Sequence, residues 1–159
     1  MGLFLVKLAT MRAISSHADM LALGEKIGAS FHAGDLILLS GPLGAGKTAL
    51  TQGIGTALGI EGVTSPTFVI SRIHAAGTKG LPLVHVDAYR LQGEADALFD
   101  DLDLESYLPK SVTVVEWGEG LIERISDEYL ELRLAHGIGE NDRIIEAIGH
   151  GDRWQGFEL

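Results

Sequence analysis

Hydrophobic residues change their spacing several times along this chain, and each change marks an element. A first apolar stretch at residues 4–8 fits a strand. Ser16-His-Ala-Asp19 then reads as a capping box, with Ser16 as N-cap and Asp19 at the third helical position. Met20, Leu23, Gly24, Ile27 and Phe31 follow at the spacing of one helix face. Gly34-Asp35 interrupts the pattern. Residues 35–40, Asp-Leu-Ile-Leu-Leu-Ser, are apolar without alternation, as in a strand buried on both faces. A glycine-rich turn comes next, and then a helix from about residue 47 to residue 58. That helix carries Gly53 and Gly55, each costing up to about 1 kcal/mol against alanine. Close packing against the sheet is the expected reason.

In the second half, residues 63–73 hold Ser-Pro-Thr and then an apolar, strand-like run. Residues 75–80 read as a turn. Residues 83–89 read as a strand with His85, Asp87 and Tyr89 on one face by period-two alternation. Residues 94–108 are acidic and helical in pattern. Residues 111–116 form a strongly β-prone run that ends in a carboxylate. A short helix at 119–124 and strands at 129–134 and 143–148 complete the prediction. Elements of both types alternate around a strand–loop–helix opening, which predicts a three-layer α/β domain. Residues 1–150 are expected to form this single domain, with 151–159 as a C-terminal tail whose Trp154 and Phe157 pack on the core or meet a partner.

Composition narrows the picture. A chain of 159 residues with 46% hydrophobic content is long enough for one domain with a real core. There is no cysteine, which removes disulfides and thiolate metal sites. No apolar run approaches the roughly 18 residues of a membrane span. The formal net charge is −10, and the seven arginines and five lysines form no basic run. Direct, independent binding to nucleic acid, which relies on a basic surface, is therefore disfavoured. A cytoplasmic location is expected.

The chemistry concentrates in Gly41-Pro-Leu-Gly-Ala-Gly-Lys47-Thr48, the full G-x-x-x-x-G-K-[ST] pattern of a phosphate-binding loop. Gly44 and Gly46 permit backbone conformations that a side chain resists. Successive N–H groups can then face phosphate oxygens. Pro42 has no N–H, so the donors run from about Leu43 through Gly44, Ala45 and Gly46 to Thr48, with Ala49 in the first turn of the helix whose dipole adds to them. Lys47 is expected to reach the β- and γ-phosphates, and Thr48 to offer its hydroxyl to Mg2+. Lys47 is also expected to be exposed without nucleotide.

Such a site needs an acidic residue near the metal, at the end of a neighbouring strand. Asp87 and Glu116 compete for this role. Glu116 better fits a carboxylate delivered at the C-terminal end of an apolar strand, while Asp87 can orient the attacking water or hold a metal-bound water. Ser65 and Thr67 of Ser65-Pro-Thr67 stand where a γ-phosphate-sensing loop occurs in many such proteins. Trp117 packs over the nucleotide or belongs to the core. The histidines show no metal-ligand spacing.

Guanine-specific relatives of the P-loop class use an N-K-x-D motif. The one asparagine here, Asn141, is followed by Asp142, and a D-x-x-G switch is missing too, so ATP/ADP is the expected nucleotide. A small metabolite kinase is the alternative. It would carry closely spaced lid arginines, whereas here no two arginines lie closer than nine residues. A nucleotide-gated binding module without meaningful turnover is a further alternative.

The P-loop, Ser65-Pro-Thr-Phe68, His85-Val-Asp-Ala-Tyr-Arg-Leu91 and Glu116-Trp117 occur in an order and spacing that resemble one family: the bacterial ATPase of tRNA threonylcarbamoyladenosine biosynthesis, the TsaE family. The resemblance runs from about residue 16 to residue 117 and more loosely beyond. It implies a lone P-loop NTPase fold with a mixed, mainly parallel central sheet and weak ATP hydrolysis by the isolated protein. It implies two protein partners, including the one that transfers threonylcarbamoyl, and only indirect contact with tRNA. By the same resemblance Lys47 holds phosphates, and Thr48 and Glu116 hold magnesium. Asp87 and Trp117 fall in the remaining motifs. Ser16 and Arg143 lie near the positions of base and ribose contacts. Pro42 and Ala88 depart from the residues common in the family, without removing a group the chemistry needs.

Overall fold

The apolar run that precedes the phosphate loop lies at the heart of the sheet. In the computed structural model, which describes residues 10–64, 71–88 and 103–159, it forms β2 (Leu36–Ser40). Its neighbours on either side are β5 (Val112–Glu116) and β6 (Tyr129–His136), and both pairings are parallel. A strand so placed has both faces covered, hence its lack of alternation. The other strands are β1 (Thr10–Ile14), β3 (Ser71–His74), β4 (Leu83–Asp87) and β7 (Arg143–His150). The order across the seven-stranded sheet is β1-β7-β6-β2-β5-β4-β3. The four strands β6, β2, β5 and β4 run parallel, and antiparallel strands extend the sheet on both flanks.

Two helices, α1 (His17–Gly28) and α2 (Lys47–Ala57), cover one face. Their core partners there include Ile37, Leu39, Val112, Val114 and Leu132. The opposite face carries Leu36, Leu38, Val84, Val86 and Val115. It is covered by α3 (Leu104–Tyr107) and by a 3-10 turn at Ile122–Arg124, through Leu104 and Ile122. The result is the three-layer arrangement expected from the sequence.

Most boundaries follow the pattern of the chain. Ser16 caps α1, its hydroxyl accepting from the Asp19 N–H at 3.1 Å, while the Asp19 carboxylate accepts from Ser15 Oγ at 3.0 Å. The predicted strand at residues 4–8, most of the acidic helix at 94–108, and Tyr89 lie outside the described residues. The edge strand β1 had no counterpart in the prediction. Its Thr-Met-Arg-Ala-Ile sequence is mostly exposed and lacks a clean period. The segment predicted as a short helix at 119–124 is a single 3-10 turn.

The reason for Gly53 and Gly55 differs from the expected one. Gly53 meets α1 rather than the sheet: a Cβ there would lie 2.2 Å from the Leu21 carbonyl oxygen and 2.9 Å from Gly24 Cα. Gly24 is equally constrained, since a Cβ there would collide with the Leu50 carbonyl oxygen. Two glycines facing each other let the helix backbones touch. Gly55 makes room for Val63, whose side chain a Cβ at this position would overlap. Two effects oppose each other in Gly53→Ala. Helix propensity favours alanine by about 1 kcal/mol, whereas overpacking typically costs about 1–3 kcal/mol. Backbone atoms on both sides cannot yield easily, so the packing term wins. Gly53→Ala is expected to lower the melting temperature by several degrees in a thermal scan; a rise would show that the two helices do not meet here.

Residues after β7 fold back on the core. Trp154 is buried, edge-on to Phe31 at 5.7 Å and to Phe157 at 5.7 Å. Arg153 donates to both oxygens of the buried Asp35, at 3.0 Å from Nε and 2.8 Å from Nη2. Of the two roles expected for Trp154, packing on the core is the one observed. Asp35 immediately precedes β2, so this pair anchors the strand that feeds the phosphate loop.

Candidate nucleotide-binding site

Parallel strands bring their C-terminal ends to one edge of a sheet, where ligands of open α/β folds bind. Here β2 ends at Ser40 and leads into the glycine loop, and β4 and β5 end at Asp87 and Glu116. The pairing register sets Asp87 opposite Glu116, and Glu116 opposite Leu39. Two carboxylates from distant parts of the sequence thus stand beside the phosphate loop.

Within the loop Gly41, Gly44 and Gly46 have φ of 144°, 79° and 105°, all positive, which is the reason for glycine at these positions. Gly41 and Gly46 are also closely packed: a Cβ would lie 2.4 Å from the Leu134 oxygen at the first and 2.9 Å from Met20 Cε at the second. At Gly44 a Cβ would find nothing nearer than His136 Cε1 at 4.0 Å. Ala45 is buried, and its N–H donates to the Pro42 oxygen at 3.2 Å. Thr48 is exposed in the first turn of α2, and Ala49 is buried beneath it.

Lys47 corrects an expectation. It is 7% exposed rather than open to solvent. Its ammonium donates to the Gly41 oxygen at 2.7 Å and lies 3.9 Å from the centre of the Trp117 ring. The favourable electrostatics of a cation on an indole face and a neutral acceptor hold it there. Burial lowers its pKa, and the nearby carboxylates of Glu116, Asp87 and Glu119 work against that shift. Trp117 itself is half-buried with φ of 59°, an unusual conformation for a bulky residue. The turn after β5 therefore places the indole over the lysine.

Glu116 is buried, at 6% exposure, and accepts a hydrogen bond from His85 Nε2 at 2.7 Å. His85 was read from the sequence only as part of a motif and a strand face. Its period-two relation to Asp87 was the available signal, but a contact between β4 and β5 is not visible in one strand's pattern.

Arg143 begins β7 and grips the loop from the side. Its Nε and Nη2 donate to the Gly44 oxygen at 3.3 and 3.1 Å, and its Nη1 donates to the oxygens of Glu140 and Asp142. Between it and the start of α1 lies a cleft of about 240 Å³ lined by Ser16, His17, Met20, Gly44, Ala49 and Arg143 among others. The structure thus brings Ser16 and Arg143 together beside the loop. Ser65 and Thr67 lie outside the described residues.

The groups gathered here suit a magnesium nucleotide. Among the described residues, no group of three or more His, Asp or Glu side chains is arranged to hold a metal ion by itself. One hydroxyl and one or two carboxylates beside a phosphate loop are the donor set of Mg2+ that takes its remaining ligands from phosphates and water.

Residues 14–145 match the sequence model of the family described as threonylcarbamoyl adenosine biosynthesis protein TsaE. The chain is 50% identical over 139 residues to the tRNA threonylcarbamoyladenosine biosynthesis protein TsaE of Streptomyces coelicolor, covering 85% of this chain and 93% of that one. It is 50% identical over 132 residues to the protein of the same name from Mycobacterium tuberculosis, covering 79% of each. The crystal structure of Bacillus subtilis YdiB superposes with a TM-score of 0.75 at 29% identity, over 92% of this chain and 89% of that one.

Proposed function

The chain belongs to the TsaE family, and so to tRNA threonylcarbamoyladenosine biosynthesis, and on that premise we propose that it is a magnesium-dependent ATPase subunit acting through partner proteins. The observation that carries this reading is the meeting of the phosphate loop with Asp87 and Glu116 at the ends of three adjacent parallel strands.

In this reading the loop amides and Lys47 bind the ATP phosphates. Lys47 exchanges the Gly41 oxygen for phosphate oxygens, and the indole of Trp117 shields that exchange from bulk water. Thr48 and Glu116 hold magnesium, Glu116 directly or through water. Magnesium, when bound, neutralises charge on the phosphates and polarises the phosphoryl group. Asp87 orients the attacking water. Ser65 and Thr67 sense the γ-phosphate. Ser16 and Arg143 border the cleft for ribose and adenine, and Arg143 keeps the loop in shape through Gly44. The protein works in the cytoplasm with two partners of the threonylcarbamoyl-transfer machinery, and reaches tRNA only through them. Membership of the family favours this reading over the metabolite-kinase alternative.

Calorimetry tests the nucleotide and the metal together. ADP is expected to bind more tightly than GDP at equal magnesium; equal or tighter GDP binding counts against the reading. Glu116→Gln keeps the shape and removes the charge. It is expected to weaken the magnesium dependence of ADP binding while leaving metal-free ADP binding unchanged. If Asp87→Asn alone has this effect, the two carboxylates exchange roles.

A further inference from the structure

We infer that His85 is a positioning residue that sets the Glu116 carboxylate for magnesium; the inference rests on the reading of Glu116 as a metal-holding group.

His85 stands in the middle of β4, on the sheet face that α1 and α2 cover. On that face Leu83, Val112, Val114, Ile37 and Leu39 are apolar and buried, while Arg72 of β3 pairs with His85 in register and Asp87 follows it on β4. Stability alone favours another aliphatic residue here. Instead the position holds an imidazole that is 0% exposed. Its Nδ1 has no hydrogen-bond partner among the described residues. A buried polar atom left in that state opposes folding. What the ring gains is one contact: Nε2 to Glu116 Oε2 at 2.7 Å.

The carboxylate is an acceptor only, so Nε2 carries the proton and donates. The bond commits one oxygen of Glu116 to the ring, so that a metal or its water is offered the other. It also removes the rotation of the carboxylate about its last side-chain bond, which is otherwise broad and two-fold. His85 is two residues before Asp87 on the same strand face, and Asp87 pairs with Glu116 in register. One strand therefore supplies both the second carboxylate and the group that orients the first. Outer groups of this kind typically tune metal affinity by about 10- to 100-fold.

Two amide variants separate orientation from packing. A glutamine amide nitrogen can occupy the place of Nε2, whereas an asparagine amide reaches only as far as Nδ1. The test is calorimetry of ADP with the full chain over a magnesium series and without metal, together with a thermal melt of each variant. His85→Asn is expected to weaken magnesium affinity of the ADP complex by about tenfold, with metal-free ADP affinity unchanged. His85→Gln is expected to restore most of the loss. If His85→Asn does not fold, His85→Leu takes its place with the same expectation. Equal magnesium affinity in the Gln variant and the Asn or Leu variant overturns the inference, whether both are normal or both are weak. Glu116→Gln distinguishes the two levels. If it leaves magnesium affinity untouched, the metal reading of Glu116 falls and this inference with it. If it weakens magnesium while the short or apolar His85 variant does not, the inference alone falls.

Discussion

Lys47→Ala is expected to abolish ATP hydrolysis, lowering turnover at saturating ATP by at least about a thousandfold, because phosphoryl transfer depends almost wholly on positioning and charge stabilisation. The buried position of Lys47 makes the stability side of this experiment informative. The variant loses the bond to the Gly41 oxygen and the contact with the Trp117 ring. It also removes a charge whose burial is unfavourable, the same burial that lowers the Lys47 pKa. These effects oppose each other, and the melting temperature is expected to move by only a few degrees, as for a change of about 1 kcal/mol. A folded Lys47→Ala protein with turnover within tenfold of the parent would remove the phosphate loop from the mechanism.

Adding the family's partner proteins is expected to raise single-turnover ATP hydrolysis by about a thousandfold, the scale of an arginine finger supplied from outside. Four of the described arginines are engaged elsewhere. Arg143 is fixed on the Gly44, Glu140 and Asp142 oxygens, Arg153 on Asp35, and Arg133 on Glu131. Arg72 donates to Thr64 Oγ1 at 2.8 Å. Moving any of them to a γ-phosphate would break bonds that shape the loop, the core or the sheet. A partner can supply the positive charge that the phosphoryl transfer needs. Rapid hydrolysis by the isolated protein, unchanged by partners and lost in Arg90→Ala, would show that the site is complete without them.

The phosphate loop was legible in the sequence because its physics is local. Glycines at 41, 44 and 46 answer to their own backbone angles, and Lys47 and Thr48 follow them at fixed spacing. Asp87 and Glu116 were legible for a related reason: each ends an apolar strand, and parallel strands end together. Contacts between elements were another matter. The Glu116–His85 bond spans two strands, and the place of Lys47 on Trp117 depends on a turn whose shape no period encodes. Gly53 showed that something approached α2 closely, yet could not say that the visitor was Gly24 of α1. Trp154 and Arg153 read as tail residues because their partners, Phe31 and Asp35, lie more than a hundred residues earlier in the sequence.

The position of β2 also has a kinetic consequence. Ile37 pairs with Val114 on one side and with Leu130 on the other. The strand that carries the loop is thus made early and must wait for two partners made much later. Contacts of such long sequence separation slow folding. Until they form, Leu-Ile-Leu-Leu remains an unpaired apolar strand, the kind of segment through which partly folded chains aggregate. Production of this protein should consequently be more sensitive to growth temperature and rate of synthesis than the stability of its finished core suggests, with soluble yield rising when synthesis is slowed.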